Sequence, residues 1–165
     1  LVLQYLRLES FHDDLVLKKE NIEDLVKEVI RKYALFFIQK GLSINLHDLD
    51  RSIVTDKKWL LVVIEQILSN SLKYTNAGGI EVYMDGQELC IKDTGIGIKN
   101  SDRLRVFERG FSGYNGRMTQ QSSGLGLYLT QKISQELGHQ IQIESELGQG
   151  TTVRIKFSEV NLLIE

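Results

Sequence analysis

Hydrophobic and polar positions along this 165-residue chain alternate in two rhythms that predict an alternation of helices and strands. The longest helical stripe runs from Ile22 to Tyr33 at spacings of three and four, and Gly41 is placed to end that helix. Shorter segments alternate with a period of two, as strands do. The predicted elements are the end of a helix at residues 1 to 10, a strand at 14 to 19, a helix at 21 to 39, strands at 42 to 46 and 52 to 55, a helix at 56 to 74, strands at 80 to 85 and 88 to 94 joined at Asp85-Gly86, a helix at 124 to 137, and strands at 140 to 146 and 151 to 157.

This order of elements predicts an α+β fold of the α/β-sandwich type. If the last two strands close the sheet as a hairpin, the sheet is mixed and mostly antiparallel, with three helices covering one face. Residues 99 to 122 interrupt the rhythm, because they are polar, contain several glycines and show no sustained period. A segment of this length inside a compact domain is typically a lid or a disordered stretch, so we expect a flexible lid there.

The helix predicted at residues 56 to 74 carries a polar stripe beside its apolar one. At about 100° per residue, Gln66, Asn70 and Lys73 fall within one narrow sector, and Tyr74 lies at its edge. An amide oxygen next to an ammonium group suits a Mg²⁺ ion and the phosphates that it accompanies. The alternative is an ordinary solvated face. The residues expected to face the sheet are Leu60, Ile64, Ile67, Leu68 and Ser71.

A second motif follows the strand that ends at Asp93, where the sequence continues as Thr94-Gly95-Ile96-Gly97-Ile98. Two glycines one residue apart let the backbone approach a flat ligand closely. The carboxylate can accept a hydrogen bond from an exocyclic amine such as that of adenine. This arrangement suits a base pocket, and the alternative is a simple turn after a hairpin.

Two further glycine motifs complete the set. Ser122-Ser123-Gly124-Leu125-Gly126-Leu127 predicts a serine-capped helix start, whose free N–H groups favour phosphate oxygens. Gly148-Gln149-Gly150-Thr151-Thr152 opens the closing strand. A short Gly-x-Gly is common by itself, and the chain contains no Walker-type P-loop. Taken in order, the four motifs predict a site for ATP and Mg²⁺.

Composition excludes several other classes of protein. Twenty Lys and Arg against twenty-two Asp and Glu give a formal net charge of −2. The sequence has no stripe of basic residues of the kind that would indicate nucleic acid as a partner. The longest apolar run, Trp59 to Ile64, is too short to span a bilayer. A lone cysteine, Cys90, excludes an internal disulfide and is expected to be a small core residue in a reducing compartment. The amphipathic opening without a starting Met predicts a piece of a longer protein.

The ordered motifs resemble the N, G1, F, G2 and G3 boxes of the Bergerat-fold (GHKL) ATPases, and specifically the catalytic ATP-binding (HATPase) domain of bacterial sensor histidine kinases. The segment similar to the F box is Val106-Phe107-Glu108-Arg109-Gly110-Phe111. The glycine-rich segment from Gly110 to Arg117 resembles the lid of bacitracin-sensing-type, intramembrane-sensing kinases. The resemblance implies the end of a dimerisation and phosphotransfer helix with a linker at residues 1–12, a catalytic domain at 13–160 with its ATP lid at about 99–122, and a tail at 161–165.

The resemblance also implies roles for individual residues. Asn70 would ligate Mg²⁺, with Gln66 as a further candidate ligand, and Lys73 would contact phosphate. Asp93 would bind the adenine amine, and Thr151 would support the pocket behind it. The remaining implied nucleotide-binding residues are Tyr74, Gly95, Gly97, Ile98, Phe111, Ser123, Gly124, Leu125, Gly126 and Leu127.

The lid differs from the family pattern in two respects. Phe107 and Phe111 would anchor it, but the G2 box commonly starts with Gly where this chain has Ser122, so hinging there would be stiffer. Arg109 and Arg117 are alternative candidates for the lid arginine that contacts phosphate.

The helix predicted at residues 56 to 74 also bears on whether the protein transfers the phosphoryl group or hydrolyses ATP. Related ATPases that hydrolyse ATP carry a glutamate four residues before the metal-binding asparagine, and this chain has Gln66 there, which cannot take a proton. Glu65 lies one residue away but points about 100° off. The function expected is therefore transfer of the ATP γ-phosphoryl to a histidine upstream of this sequence. The alternatives are a GHKL-type hydrolase and a degenerate nucleotide-binding scaffold.

The acceptor is not expected among the three histidines present. His12, His47 and His139 fall in predicted turns or loops and are expected to be surface or loop residues without a metal site. The implied partners are the protein's own dimerisation domain in a homodimer, a response regulator that receives the phosphoryl group on an aspartate, and an ABC transporter for peptide antibiotics. The implied location is the cytoplasmic side of a membrane anchor.

Overall fold

The structure, a computed structural model, describes residues 15–103, 105–108 and 126–157. Within these ranges the chain forms the predicted alternation of helices and strands. The elements in chain order are β1 (Lys18–Asn21), α1 (Ile22–Lys40), β2 (Ser43–His47), β3 (Ser52–Thr55), α2 (Lys57–Tyr74), β4 (Gly79–Asp85), β5 (Glu88–Asp93), α3 (Asn100–Arg103), α4 (Gly126–Glu136), β6 (Gln140–Glu146) and β7 (Gly150–Lys156).

Five strands form one mixed sheet in the order β2-β4-β5-β7-β6. β2 runs parallel to β4, and every other neighbouring pair is antiparallel. The predicted α+β fold with a mostly antiparallel sheet is therefore confirmed, including the closing hairpin of β6 and β7. In this register Asp93, at the end of the central strand, lies between Ile80 of β4 and Thr151 of β7.

Helix α1 begins and ends where its capping residues dictate. The Asn21 side chain accepts a hydrogen bond from the backbone N–H of Asp24 at 3.0 Å, which satisfies one of the free donors of the first turn. Gly41 ends the helix in the left-handed conformation, with φ of 66°. The buried face is made by Ile22, Leu25, Val26, Val29 and Phe37.

Helix α2 is fixed at both ends by side chains. The buried carboxylate of Asp56 caps its first turn by accepting from the backbone N–H of Trp59 at 3.1 Å. At the other end, the ammonium group of Lys40 donates to the carbonyl of Leu72 at 2.5 Å and offsets the free carbonyls of the last turn. The position of the α2 end is therefore set by α1.

The core lies between one face of the sheet and the helices α1, α2 and α4. Alternate residues of β4, namely Ile80, Val82 and Met84, are buried, as the period of a strand predicts. Leu129 and Ile133 of α4 are fully buried in the same core. Each such side chain contributes about 1.5–3 kcal/mol by leaving water.

One predicted strand is misplaced. The first strand was expected at residues 14 to 19, but β1 spans Lys18–Asn21 and pairs with β3 in a separate two-stranded sheet. Its limits are set by that pairing, in which Lys18 lies opposite Thr55 and Asn21 lies opposite Ser52. The backbone N–H of Val16, just before it, is bound instead by the Asp56 carboxylate at 2.8 Å.

Two smaller differences concern turns. Asp85 pairs with Glu88 across the hairpin, so the turn consists of Gly86 and Gln87 and not of Asp85 and Gly86. The segment expected to have no pattern of its own contains the short helix α3 at its start. The rest of the predicted lid lies largely outside the described residues, as do residues 1 to 14.

The single cysteine and the histidines have different environments. Cys90 is buried on β5, as predicted. His47 lies at the end of β2 and is exposed, so its predicted loop position is wrong but its exposure is confirmed. His139 lies in the loop after Gly138, as predicted, but it is only 2% exposed, so it is a buried loop residue and not a surface one. No helix among the described residues has the length and apolar character needed to cross a bilayer.

Candidate nucleotide-binding site

Helix α2 presents the predicted polar stripe. Gln66, Asn70 and Lys73 are all partly exposed, whereas the residues of the predicted inward face are buried. Partial burial lowers the pKa of the Lys73 ammonium from its usual value. Its nitrogen lies 5.4 Å from the centre of the Tyr74 ring, in the geometry of a cation–π contact. The cation and the ring therefore form one unit at the end of α2.

Glu65 points away from this stripe, towards α1. Its carboxylate accepts from the Lys32 ammonium at 2.6 Å and from the Tyr33 hydroxyl at 2.9 Å. Burial of Tyr33, together with the adjacent Glu65 carboxylate, raises the pKa of that hydroxyl to about 12. The predicted angular separation of Glu65 from the polar stripe is therefore confirmed.

The carboxylate of Asp93 is buried and held from three directions. One of its oxygens, Oδ1, accepts from the backbone N–H of Gly95 at 2.9 Å and from that of Thr151 at 3.1 Å. The Ser71 hydroxyl of α2 is a third partner. Burial raises the pKa of Asp93, and these three hydrogen bonds oppose the shift because they favour the charged form. The group is therefore a rigidly placed acceptor in an apolar setting.

The two glycines after Asp93 are required by close backbone contacts. A Cβ on Gly95 would lie 2.6 Å from the carbonyl oxygen of Tyr74, which no side chain tolerates. Gly97 has φ of 76°, and a Cβ there would lie 2.1 Å from the carbonyl oxygen of Glu146. The Gly-x-Gly spacing thus lets this segment pass between the end of α2 and the β6–β7 turn.

Hydrogen bonds fix this segment on both sides. The backbone N–H of Ile96 donates to the Tyr74 carbonyl at 3.0 Å, and the carbonyl of Ile96 accepts from Gly148 at 2.7 Å. The backbone N–H of Ile98 donates to the Ser145 hydroxyl oxygen at 2.8 Å. The wall that runs from Asp93 to Ile98 is therefore held in place within the chain itself.

The start of α4 lies beside the polar stripe of α2. A Cβ on Gly126 would lie 3.0 Å from the side-chain oxygen of Gln66, so the first turn of α4 directly adjoins that amide. Leu127, the next residue, is partly buried. The other predicted lid and helix-start residues lie outside the described part of the chain: Arg109, Phe111, Arg117, Ser122, Ser123, Gly124 and Leu125.

Sequence analysis missed three hydroxyl groups around Asp93. Ser71 was assigned to the inward face, which is correct, but its bond to Asp93 was not foreseen. Ser145 binds the Thr151 hydroxyl at 2.7 Å and so supports the strand beside Asp93. Thr75, which caps the C-terminal end of α2, is fully buried. A hydroxyl at an otherwise apolar inward position was the signal available for Ser71.

The comparisons with known proteins agree with this geometry. A model of the family described as histidine kinase-, DNA gyrase B-, and HSP90-like ATPases matches residues 55–161. The chain is 37% identical over 159 residues to the sensor histidine kinase YxdK of Bacillus subtilis (strain 168), covering 92% of this chain and 49% of the relative. It is 37% identical over 164 residues to the sensor protein kinase GraS of Staphylococcus aureus (strain JH1), covering 96% of this chain and 47% of the relative.

A comparison of the fold with solved structures also points to sensor histidine kinases. The crystal structure of full-length ShkA in complex with AMPPNP superposes with a TM-score of 0.78 at 27% identity, covering 93% of this chain and 33% of that one. The chain belongs to the family of histidine kinase-, DNA gyrase B-, and HSP90-like ATPases. The curated relatives that it matches within that family are sensor histidine kinases. The chain spans about half the length of the curated relatives it matches.

Proposed function

We propose that this domain binds ATP together with Mg²⁺ and transfers the γ-phosphoryl group to a histidine of a dimerisation domain upstream of this sequence. The observation that carries the proposal is the Asp93 carboxylate, buried and oriented by three hydrogen bonds next to the backbone wall that Gly95 makes possible. A preoriented acceptor in an apolar pocket is what an adenine amine requires.

The base would lie between Asp93 and the wall that follows it. Asp93 accepts from the exocyclic amine, while Gly95 and Gly97 leave the backbone accessible to a flat ring. Ile98 would contribute apolar surface, and the ring of Tyr74 would lie near the adenine. Thr151 acts indirectly in this proposal, because its backbone N–H fixes Asp93 from behind.

The phosphates and the metal would lie along α2 and the start of α4. Among residues 15–103, 105–108 and 126–157, no group of three or more His, Cys, Asp or Glu is arranged to hold a metal. The stripe instead offers amide oxygens, so Asn70, with Gln66 as the alternative, would provide the protein ligand for Mg²⁺. When bound, Mg²⁺ neutralises charge that develops on the phosphates.

Lys73 would supply a second positive charge to the phosphates, and Gly126 and Leu127 would supply backbone N–H groups at the start of α4. The predicted contributions of the segment before α4 complete this half of the site. They involve Phe111, Ser123, Gly124, Leu125 and one of Arg109 and Arg117.

The side chains of α2 favour transfer to a protein acceptor over hydrolysis. Gln66, at the position where a water-activating base is needed, carries an amide and takes no proton. Glu65 is the adjacent carboxylate, but it is bound to Lys32 and Tyr33 on α1. Catalysis would then rest on positioning and on charge neutralisation around Asn70 and Lys73.

The wider setting follows from similarity to sensor kinases. Residues 1–12 would be the end of the dimerisation helix with its linker, residues 13–160 the catalytic domain, and residues 161–165 a tail. The partners would be the homodimeric dimerisation domain and a response regulator, with an ABC transporter for peptide antibiotics as a further candidate. The domain would then lie on the cytoplasmic side of a membrane-anchored protein.

The decisive experiment mixes this domain with its purified dimerisation domain and ATP labelled on the γ-phosphate. We expect an acid-labile, base-stable phosphohistidine on the added domain, and loss of that product with Asn70→Asp. A Glu65→Gln variant is the matched control on the same helix and should transfer normally. Rapid phosphate release without phosphohistidine, abolished by Glu65→Gln, would establish a hydrolase instead.

A further inference from the structure

The last turn of helix α2 ends without a glycine cap. The residue that follows it, Thr75, is extended, with φ of −107° and ψ of 120°, so the chain leaves the helix in one step. Helices commonly end instead in a left-handed glycine turn, whose backbone N–H groups bind the free carbonyls. The free carbonyls at this end of α2 therefore need donors from elsewhere in the chain.

Among the described residues, two distant segments provide such donors. The backbone N–H of Ile96 donates to the Tyr74 carbonyl at 3.0 Å. The ammonium group of Lys40 donates to the Leu72 carbonyl at 2.5 Å and lies 3.4 Å from the Lys73 carbonyl oxygen. A cation at the C-terminal end of a helix also opposes the negative end of the helix dipole. Lys40 therefore stabilises the last turn of α2 in its helical form.

Lys40 is itself held firmly at the end of α1. Gly41, directly after it, is left-handed, and its N–H donates to the Ile38 carbonyl at 3.1 Å. The N–H of Leu42 donates to the Phe37 carbonyl at 3.0 Å, and the Leu42 side chain is buried. These contacts fix the backbone from which the Lys40 side chain extends, so its ammonium group reaches α2 from a rigid base.

The turn that Lys40 binds also carries part of the proposed phosphate site. Lys73 belongs to this turn, and its ammonium group lies 5.4 Å from the centre of the Tyr74 ring. Asn70 lies one turn earlier on the same polar stripe. The two side chains share a stripe only while the helix continues through this turn, because unwinding would move Lys73 away from it.

We propose that Lys40 is a positioning residue for phosphoryl transfer. By binding the carbonyls at the end of α2, it keeps the Lys73 ammonium group on the same stripe as Asn70, where the phosphates of ATP would lie. Lys40 does not contact the nucleotide in this inference and acts through Lys73. The inference rests on the proposed binding of ATP with Mg²⁺ and adds a residue of α1 to that site.

The test is a double-mutant cycle with Lys40→Met and Lys73→Met, in which methionine keeps most of the apolar stem and removes the ammonium group. Calorimetry with ADP and Mg²⁺ should show that Lys40→Met binds about twofold to fivefold more weakly than the wild type, as expected for loss of a cation at a helix end. Adenosine, which has no phosphate, should bind both proteins equally. In the Lys73→Met background, the change at Lys40 should cost no further ADP affinity.

Two variants of α1 serve as controls. Lys40→Arg keeps a positively charged donor and should bind ADP as the wild type does. Lys32→Met removes a cation that also binds α2, but through the Glu65 carboxylate at 2.6 Å and not through a backbone carbonyl, so it should leave ADP affinity unchanged. Should Lys40→Met fold poorly, Lys40→Gln, which is neutral and shorter, carries the same comparison.

Three results would overturn the inference. Unchanged ADP affinity in Lys40→Met would show that the last turn keeps its form without the ammonium group. Equal losses for ADP and adenosine would assign Lys40 a purely structural role, because adenosine has no phosphate for Lys73 to contact. Losses that add independently in the cycle would show that Lys40 does not act through Lys73. Failure of the proposed function is distinct, because the wild-type chain itself would then not bind ADP.

Discussion

Burial of His139 predicts a specific loss of stability in acid. The imidazole packs edge-on against the Phe157 ring, with 4.8 Å between ring centres, and its Nε2 lies 3.4 Å from the Thr55 hydroxyl oxygen. Its other nitrogen, Nδ1, has no hydrogen-bond partner among the described residues. Burial lowers the pKa of His139 from 6.5 to about 4, because the charged form loses its hydration.

The direction of the change in stability with pH follows from which state, folded or unfolded, protonates His139 first as the pH is lowered. The unfolded chain protonates His139 near pH 6.5, whereas the folded domain protonates it only near pH 4. Between these values the unfolded state holds more protons, so the free energy of unfolding falls as the pH is lowered. At about 1.4 kcal/mol for each pH unit of separation, the total loss is about 3 kcal/mol, a large fraction of an ordinary domain's stability.

Urea unfolding of the wild type and of His139→Gln between pH 7.5 and pH 4 measures this effect. The two proteins should lose stability differently, with the wild type losing about 3 kcal/mol more across the interval. Asp93 acts in the opposite direction, because its raised pKa makes the folded state the better proton acceptor as the pH falls. That contribution is common to both proteins and cancels in the difference. Parallel curves for the two proteins would refute the buried, neutral His139.

Three further predictions concern the nucleotide site. Asp93→Asn should weaken ADP binding about tenfold or more, because it removes a charge-assisted hydrogen bond. Asn70→Asp should change the affinity for metal-free ADP little but should abolish phosphoryl transfer. Equal losses of ADP affinity in the two variants, measured by calorimetry, would contradict this division of roles. Glu65→Gln should leave the rate of phosphate release at the wild-type value. It should lower the free energy of unfolding, measured by chemical denaturation, by about 1 kcal/mol or less, because its partner Lys32 is largely exposed. Gly97→Ala should lower the free energy of unfolding by about 1 kcal/mol or more and should reduce ADP affinity. The reason is that Gly97 has a positive φ and that the Glu146 backbone occupies the space a Cβ would need. An unchanged melting temperature and ADP affinity would show that the segment can move aside.

The features predicted well from the sequence are those set by local spacing. The stripe of Gln66, Asn70 and Lys73 depends only on helical geometry, and burial of the opposite face was set by the same period. The hairpin of β6 and β7 likewise joins neighbouring segments. In each case the residues that decide the structure lie within a few positions of one another.

The features that were missed depend on distant partners. β1 begins at Lys18 because β3, more than thirty residues later, sets its register. His139 looks like a loop residue after Gly138, yet Thr55 and Phe157 enclose it. No local pattern contains those contacts, so the sequence alone could not reveal them.

The two neighbouring side chains at the centre of α2 bear on whether this domain spends ATP on water or on a protein. A base that activates water must lie on the nucleotide side of the helix with a free lone pair. Gln66 lies on the side proposed to face the nucleotide, adjoining the start of α4, but its amide cannot take a proton. Glu65 can take one, but one helical step turns it to α1, where an ammonium and a hydroxyl bind it at 2.6 and 2.9 Å. Moving Glu65 to the nucleotide would break both bonds and turn α2 by more than a quarter of a revolution, which its buried face prevents. In the proposed function, the γ-phosphoryl would therefore be kept from water on this face and would remain available to an acceptor that another domain brings to it.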